Sequence, residues 1–349
     1  MQYSTFAAID IGSYDVILEI FEISKKQGIR SVDKICHRME LGKDTYTLGK
    51  IRPEMEEELC RVLADFVRIM EGYRVDDYRA TASSAISEAS NSLYVLGKIH
   101  QLTGLSVTVL SNSEQRFLSY KALAAMEDNF NKIIEKGTAI LDLDGGSFQI
   151  SLFDKDALVT TQNIRMGSLR IRERLAGIQS ETEHYEEMVE ELIWNEVSSF
   201  KKMYLKDRKI ENIMLIGDVF TDSVYQNIEE KTTKIISREN FNTWYEKIIR
   251  QSPMELAVKL GIPLENASLM YPSAVIYKCL IDMMGAEHIW IPGVHMTRGI
   301  AYEYAEQMKL LKGGHNFEND ILMAAKNIGK RYAVNRPHVQ NLEMTALAM

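Results

Sequence analysis

The chain has 349 residues, 46% of them hydrophobic, with 41 Lys and Arg against 49 Asp and Glu for a formal charge of −8. That length and apolar content suit two domains with a core each and argue against a disordered chain. The acidic balance argues against a general nucleic-acid binder, which needs a net basic face.

Cys36, Cys60 and Cys279 are widely spaced and fit neither a disulfide framework nor a zinc site, which suits a reducing cytoplasm. No long uncharged apolar run and no secretion signal at the start point to a membrane or an export route.

Residues 6–10 form a short apolar run ending in a carboxylate, which reads as a buried strand. Residues 16–23 are its hairpin partner across a glycine turn, and residues 29–41 a third, more exposed strand. Pro53 stands at the first position of an amphipathic helix with Glu54, Glu56, Glu57 and Glu58 in its opening turns and Leu59, Val62, Leu63, Phe66 and Ile69 on its apolar stripe. A strand at 78–82 feeds a helix at 84–102, and a strand at 105–110 feeds a helix at 113–126, the alternation of a layered lobe.

A second cycle follows, with strands at 138–141, 148–153 and 157–163, helices near 182–206, a strand at 213–216, and helices before and after Pro272. Lys312-Gly313-Gly314 interrupts the pattern. Residues 318–332 are helical again, and the chain ends at Leu347-Ala348-Met349 inside an uncapped helical pattern, so we expect a further helical domain. The expected organisation is a first lobe over 1–134, a second over 135–311, and over 312–349 a linker with the opening helix of that domain.

A weak duplication carries the chemistry. Ala7-Ala8-Ile9-Asp10-Ile11-Gly12-Ser13 is echoed by Ala139-Ile140-Leu141-Asp142-Leu143-Asp144-Gly145-Gly146-Ser147, each copy a strand, an aspartate, a glycine turn and a hydroxyl. Glycine lets backbone N–H groups approach a phosphate, serine adds a donor, and an aspartate at a strand end can hold a divalent cation or water. One such tetrapeptide is more often an ordinary tight hairpin. Two of them, each opening an α/β lobe, point to a clamp on one phosphate chain.

The ordered motifs resemble the Ppx/GppA phosphatases, the exopolyphosphatases and guanosine pentaphosphate phosphohydrolases of the actin, sugar-kinase and heat-shock-ATPase (Hsp70) superfamily. Asp10-Ile11-Gly12-Ser13 is similar to the family's first phosphate loop, Arg38-Met39-Glu40-Leu41-Gly42 to its arginine-bearing third strand, and residues 82–91 to a helix start. Ser111-Asn112-Ser113-Glu114-Gln115-Arg116 is similar to its Glu-Glu segment, residues 142–147 to its second loop, Met166-Gly167-Ser168 to a glycine turn, and residues 319–342 to the opening of the HD-type domain of longer members.

The resemblance implies an α/β fold of two actin-like (ribonuclease H-like) lobes with a cleft between them. It implies Asp10 and Asp142 as ligands of Mg²⁺, and Gly12, Ser13, Arg38, Gly145, Gly146 and Ser147 as the phosphate-binding set. The implied reaction is release of terminal phosphate from inorganic polyphosphate or pppGpp, with a glutamate activating water. A cytoplasmic protein without membrane or general nucleic-acid partners is expected, and a homodimer is left open.

The chain departs from the family pattern where a ligand would be met. The general base falls on Gln115, whose amide accepts no proton at neutral pH, leaving Glu114 as the fallback. Asp144 replaces the first glycine of the second loop and puts a carboxylate inside a phosphate cradle. Gln149 replaces an acidic residue, Ser87 an arginine and Tyr14 a small polar residue; Val219 and Phe220 add bulk to the turn after Gly217, and the late arginine is displaced to Arg298.

The expectation is a kept scaffold with a weakened hydrolytic site: a phosphohydrolase, or alternatively a member that senses a polyphosphate or nucleotide by lobe closure without hydrolysis. A sugar or acid kinase would need a glycine-rich adenosine turn, which Gly217-Asp218-Val219-Phe220-Thr221 does not supply. Among Lys25, Lys26, Arg165, Arg170, Arg172 and Arg174, the pair Arg170 and Arg174 reads as a solvated helix face rather than a polyphosphate path. The 7 histidines show no metal spacing and read as surface or capping residues, and the 18 methionines read as core filling.

Overall fold

The computed structural model describes residues 3–126, 130–176, 185–205, 208–227, 235–311 and 315–348. Strands β1 (Ser4–Ile11), β2 (Asp15–Ser24), β3 (Gly28–Arg38), β4 (Asp77–Ala82) and β5 (Val107–Val109) form one sheet in the order β3-β2-β1-β4-β5. Strands β6 (Thr138–Leu143), β7 (Phe148–Asp154), β8 (Ala157–Ile164), β9 (Asn212–Ile216), β10 (Ile235–Ser237) and β11 (His288–Trp290) form the other in the order β10-β11-β9-β6-β7-β8.

In both sheets an antiparallel meander (β1-β2-β3, β6-β7-β8) is continued from its first strand by parallel neighbours, β4 and β5 in one and β9 and β11 in the other. The repeated sequence thus folds as a repeated topology, and the fold is actin-like.

Because β1 is covered on both faces, it reads as a continuous apolar run. Ala7, Ile9 and Ile11 pack with Leu59, Leu63 and Phe66 of the helix Pro53–Tyr73, while Phe6 and Ala8 on the other face pack with Leu118, Ile300 and Tyr304. The Tyr304 ring stacks on Phe6 at 4.1 Å. Burial of each such large side chain contributes about 1.5–3 kcal/mol. The helix Asn112–Met126 serves both sheets, giving Leu118 to this cluster and Tyr120 and Leu123 to Ile140, Phe153 and Met214 of the second. The helix Met296–Gln307 packs against it and against β1.

Several expectations are corrected. The third strand ends at Arg38 rather than at residue 41, because the Met39 N–H turns to the Tyr14 carbonyl (3.1 Å) and Leu41 opens an unanticipated helix, Leu41–Leu48. The helix expected at 84–102 is split into Ser84–Ser87 and Ser92–Thr103. The cause is the Asn91 amide, which clasps Ile51 by accepting its N–H (3.0 Å) and donating to its carbonyl (2.9 Å).

Pro272 does not divide a helix. It lies inside Leu264–Met284, where Leu269, Met270, Ala274, Val275 and Ile276 are buried around it, and that burial outweighs the roughly 3 kcal/mol cost of an interior proline. Strands β10 and β11 are too short to carry a periodic signal and were not anticipated from the sequence. The helix expected near 182–206 runs over Tyr185–Phe200 with a π-helical turn at Lys201–Leu205; its first residues, and Lys312-Gly313-Gly314, lie outside the described residues.

The C-terminal region is helical. Phe317–Arg331 packs on β8 through the buried Asp320, which accepts the Leu158 N–H (3.3 Å) and meets His315 at 2.7 Å. Arg336–Ala348 buries no residue. Among the described residues no helix is long and apolar enough to cross a membrane.

Candidate functional site

The duplicated turns meet where β1 and β6 end. Asp10 and Asp142 line one cavity of about 250 Å³ together with Gly12, Asp15, Arg38, Gln115, Asp144, Ser147 and Gln149. A Cβ placed on Gly145 would lie 3.0 Å from the Ser13 Cβ, so the two turns are in van der Waals contact. The spatial meeting expected of the two loops is therefore present, but as a closed seam beside the cavity.

At that seam the Ser13 hydroxyl bonds the Tyr46 hydroxyl (2.7 Å), which bonds the Ser84 hydroxyl (2.8 Å). Arg170 covers the Tyr46 ring at 3.8 Å and donates to the Gly146 carbonyl (2.8 Å) and to Glu88 (2.9 Å). Arg172 makes a two-pronged bond to Glu40 (2.7 and 2.8 Å) from the other half of the chain. These arginines tie the lobes together, which replaces the solvated-face reading of Arg170.

The cavity floor is acidic. Asp142 accepts the Ser119 hydroxyl (2.6 Å), and burial pushes its carboxyl up to about 6. Asp15 is likewise pushed up by burial to about 6, against the pull of Arg38, which donates to it at 2.7 Å. Burial, then the charges of Asp15, Asp144 and Asp142, hold the Asp10 carboxyl well above its ordinary value. Asp10 Oδ1 and the Gln149 amide oxygen are buried with no hydrogen-bond partner. Glycine is required at 217, whose φ of +102° brings the chain against Asp142: a Cβ there would sit 2.6 Å from Asp142 Oδ1.

Among the described residues no three His, Cys, Asp or Glu side chains form a ready metal-ligand set. Mg²⁺ commonly takes only one or two carboxylates and fills its shell with water and substrate phosphate. The orphaned Asp10 oxygen, on a residue that lines the same cavity as Asp142, fits that partial demand.

Of the anticipated site residues, Asp10, Asp142, Gly12, Arg38, Ser147 and Gln115 line the cavity, whereas Ser13, Gly145 and Gly146 are packed into the seam. Glu114 is not in the cleft. Its carboxylate accepts the Ser111 N–H (2.8 Å) and hydroxyl (2.7 Å), which lower its pKa, and it lines a different cavity with Arg79 and Lys121. The fallback base thus acts as a helix cap, because Ser111 precedes the helix at cap spacing.

Sequence reasoning missed Tyr46, which the unanticipated helix Leu41–Leu48 delivers, and the pair His295 and Asp222 (3.3 Å) at the cavity wall. Burial lowers the His295 pKa. Val219 and Phe220 do not obstruct the cavity: they open the helix Val219–Asn227, with Phe220 in the core against Phe241 and Tyr277.

A family model described as the Ppx/GppA phosphatase family matches residues 19–308. A bifunctional 3-dehydroquinate synthase/phosphatase of Fusobacterium nucleatum is 21% identical over 310 residues, 81% of this chain and 44% of that one. Exopolyphosphatase 1 of Mycobacterium leprae is 25% identical over 144 residues, 41% of each. The chain thus spans less than half the length of these curated relatives.

An exopolyphosphatase structure from Cytophaga hutchinsonii superposes with a TM-score of 0.77 at 17% identity, over 87% of this chain and 98% of that one. An Aquifex aeolicus Ppx/GppA member superposes at 0.71 and 17% identity, over 88% and 99%. With two topologically matched sheets, paired aspartate turns and this match over most of its length, the chain belongs to the Ppx/GppA phosphatase family.

Proposed function

We propose that the cleft binds the terminal phosphates of inorganic polyphosphate or of a guanosine polyphosphate such as pppGpp, together with Mg²⁺, and releases the end phosphate slowly. The observation that carries this reading is the buried, unpartnered Asp10 Oδ1 on a floor shared with Asp142. Asp10 and Asp142 would hold the cation, which when bound neutralises charge on the phosphate oxygens. The Ser147 hydroxyl and the Arg38 guanidinium border the same space as donors to phosphate. Gln115 lines the cavity where a proton acceptor is wanted and cannot serve as one, so a missing base limits the rate.

That same glutamine, with Glu114 turned to another cavity, favours a second reading in which the ligand is bound and sensed without turnover. Phosphate release from tripolyphosphate with Mg²⁺, alongside calorimetric binding, separates the two. Release that is lost in Asp142→Asn supports hydrolysis, and binding without release supports sensing. If no polyphosphate binds with any divalent cation, both readings are wrong.

A further inference from the structure

The phosphate cradle holds an anion of its own. Asp144 sits at the turn between β6 and β7, and its side chain folds back so that Oδ1 accepts the Gly145 N–H at 2.6 Å. Its Oδ2 accepts the Ser13 hydroxyl from the opposite turn at 3.4 Å. Ser13 is fully buried and held in place by Tyr46 at 2.7 Å. The Asp144 main chain is fixed as well: its N–H donates to the Ser147 carbonyl (2.9 Å), and its carbonyl accepts the Ser168 N–H (3.3 Å).

A backbone N–H and a serine hydroxyl from facing glycine turns are the donors such turns offer to a phosphate oxygen. Here both are turned to a carboxylate that the chain supplies. Asp144 lines the cavity beside Asp10 and Asp142 while those two donors lie in the seam behind it, so an incoming phosphate meets a carboxylate where it would otherwise meet donors.

We infer that Asp144 is a specificity-determining residue that makes the cleft reject phosphate unaccompanied by a divalent cation. A free phosphate must sit against the Asp144 carboxylate, which its donors in the seam hold in place. A cation-bearing phosphate brings the counter-charge with it. The selected ligand class is therefore a cation-chelating phosphoanhydride, as against free orthophosphate. The inference rests on the proposed binding of phosphate in this cleft and adds the residue that sets its condition.

The test is calorimetric titration of tripolyphosphate into the full chain, in EDTA and in Mg²⁺, for the wild type, Asp144→Asn, Asp144→Gly and the control Asp218→Asn. Asp144→Asn keeps an oxygen for the Gly145 N–H, so its fold is secured even where glycine loosens the turn. Wild type is expected to bind only with Mg²⁺, and both Asp144 variants to bind in EDTA more tightly than wild type by on the order of tenfold. Asp218→Asn, which removes a buried carboxylate outside the cavity, is expected to give no such gain.

Equal wild-type affinity in EDTA and Mg²⁺, an equal gain from Asp218→Asn, or no gain from Asp144→Asn while wild type binds with Mg²⁺ overturns this inference alone. Absence of binding in every variant with and without Mg²⁺ overturns the proposed function and this inference together.

Discussion

Replacing Asp218 by asparagine tests the electrostatics beneath the cleft. Asp218 Oδ1 accepts the Thr221 N–H (3.0 Å) and the Tyr277 hydroxyl (3.2 Å), while Oδ2 is buried without a partner. Burial pushes this carboxyl from its ordinary 3.8 up to about 7. Between those values the native state keeps a proton that the unfolded chain has released. Stability from this group is therefore complete below about pH 4 and falls as pH rises through about 7.

At about 1.4 kcal/mol per pH unit, ionised Asp218 removes roughly 4 kcal/mol by pH 8. Asp218→Asn keeps the Oδ1 contacts and removes the ionisation, at a cost of about 1–3 kcal/mol for a buried amide donor without a partner. The expected result at pH 8 is a net gain of about 1–3 kcal/mol, seen by circular dichroism as a rise in Tm of roughly 2–10 °C. At pH 5, where ionisation of the unfolded chain has removed only about 1–2 kcal/mol, the variant is expected to gain roughly 3 kcal/mol less than at pH 8 and to melt close to wild type. The same Tm difference at both pH values would refute the reasoning.

Three further outcomes are expected. Gly217→Ala forces a φ of +102° on a residue with a Cβ and drives that Cβ to 2.6 Å from Asp142 Oδ1, so a urea melt is expected to show a loss of about 2–5 kcal/mol; an unchanged midpoint contradicts the packing. Arg172→Met leaves Glu40 and Glu173 without their shared partner and is expected to cost roughly 3 kcal/mol in the same assay, with no loss if the interlobe clamp is not formed. Glu114→Ala is expected to lower stability by about 1 kcal/mol through the lost cap, with Mg²⁺-dependent tripolyphosphate affinity unchanged; a large loss of affinity would return Glu114 to the site.

The sequence was legible where one physical rule dominated. Period-two and continuous apolar runs located β1, β2, β6, β7 and β9, and the duplicated Asp-Gly-Ser turns anticipated two matched lobes whose turns meet. Local rules failed where a distant partner decided the outcome. Asn91 breaks a helix because it clasps Ile51, and Pro272 is tolerated because its surroundings are buried.

The site was legible in its charges and less so in its directions. Asp10, Asp142 and Gln115 reach the cavity, but adjacent residues on a helix point apart, and the bonds to Ser111 take Glu114 away from it. Nothing in the linear pattern placed Tyr46 against Ser13 or Arg172 against Glu40, since the first contact exists only once the helix Leu41–Leu48 packs on the first turn and the second only once the lobes are packed together.

The most direct measurement is an anomalous difference map from crystals grown with Mn²⁺ and tripolyphosphate. The expected cation peak lies between the Asp10 and Asp142 carboxylates, with phosphate beside Ser147 and Arg38. A cation and phosphate found together elsewhere, for instance in the cavity lined by Arg79 and Lys121, with none at Asp10, would contradict the assignment of this cleft.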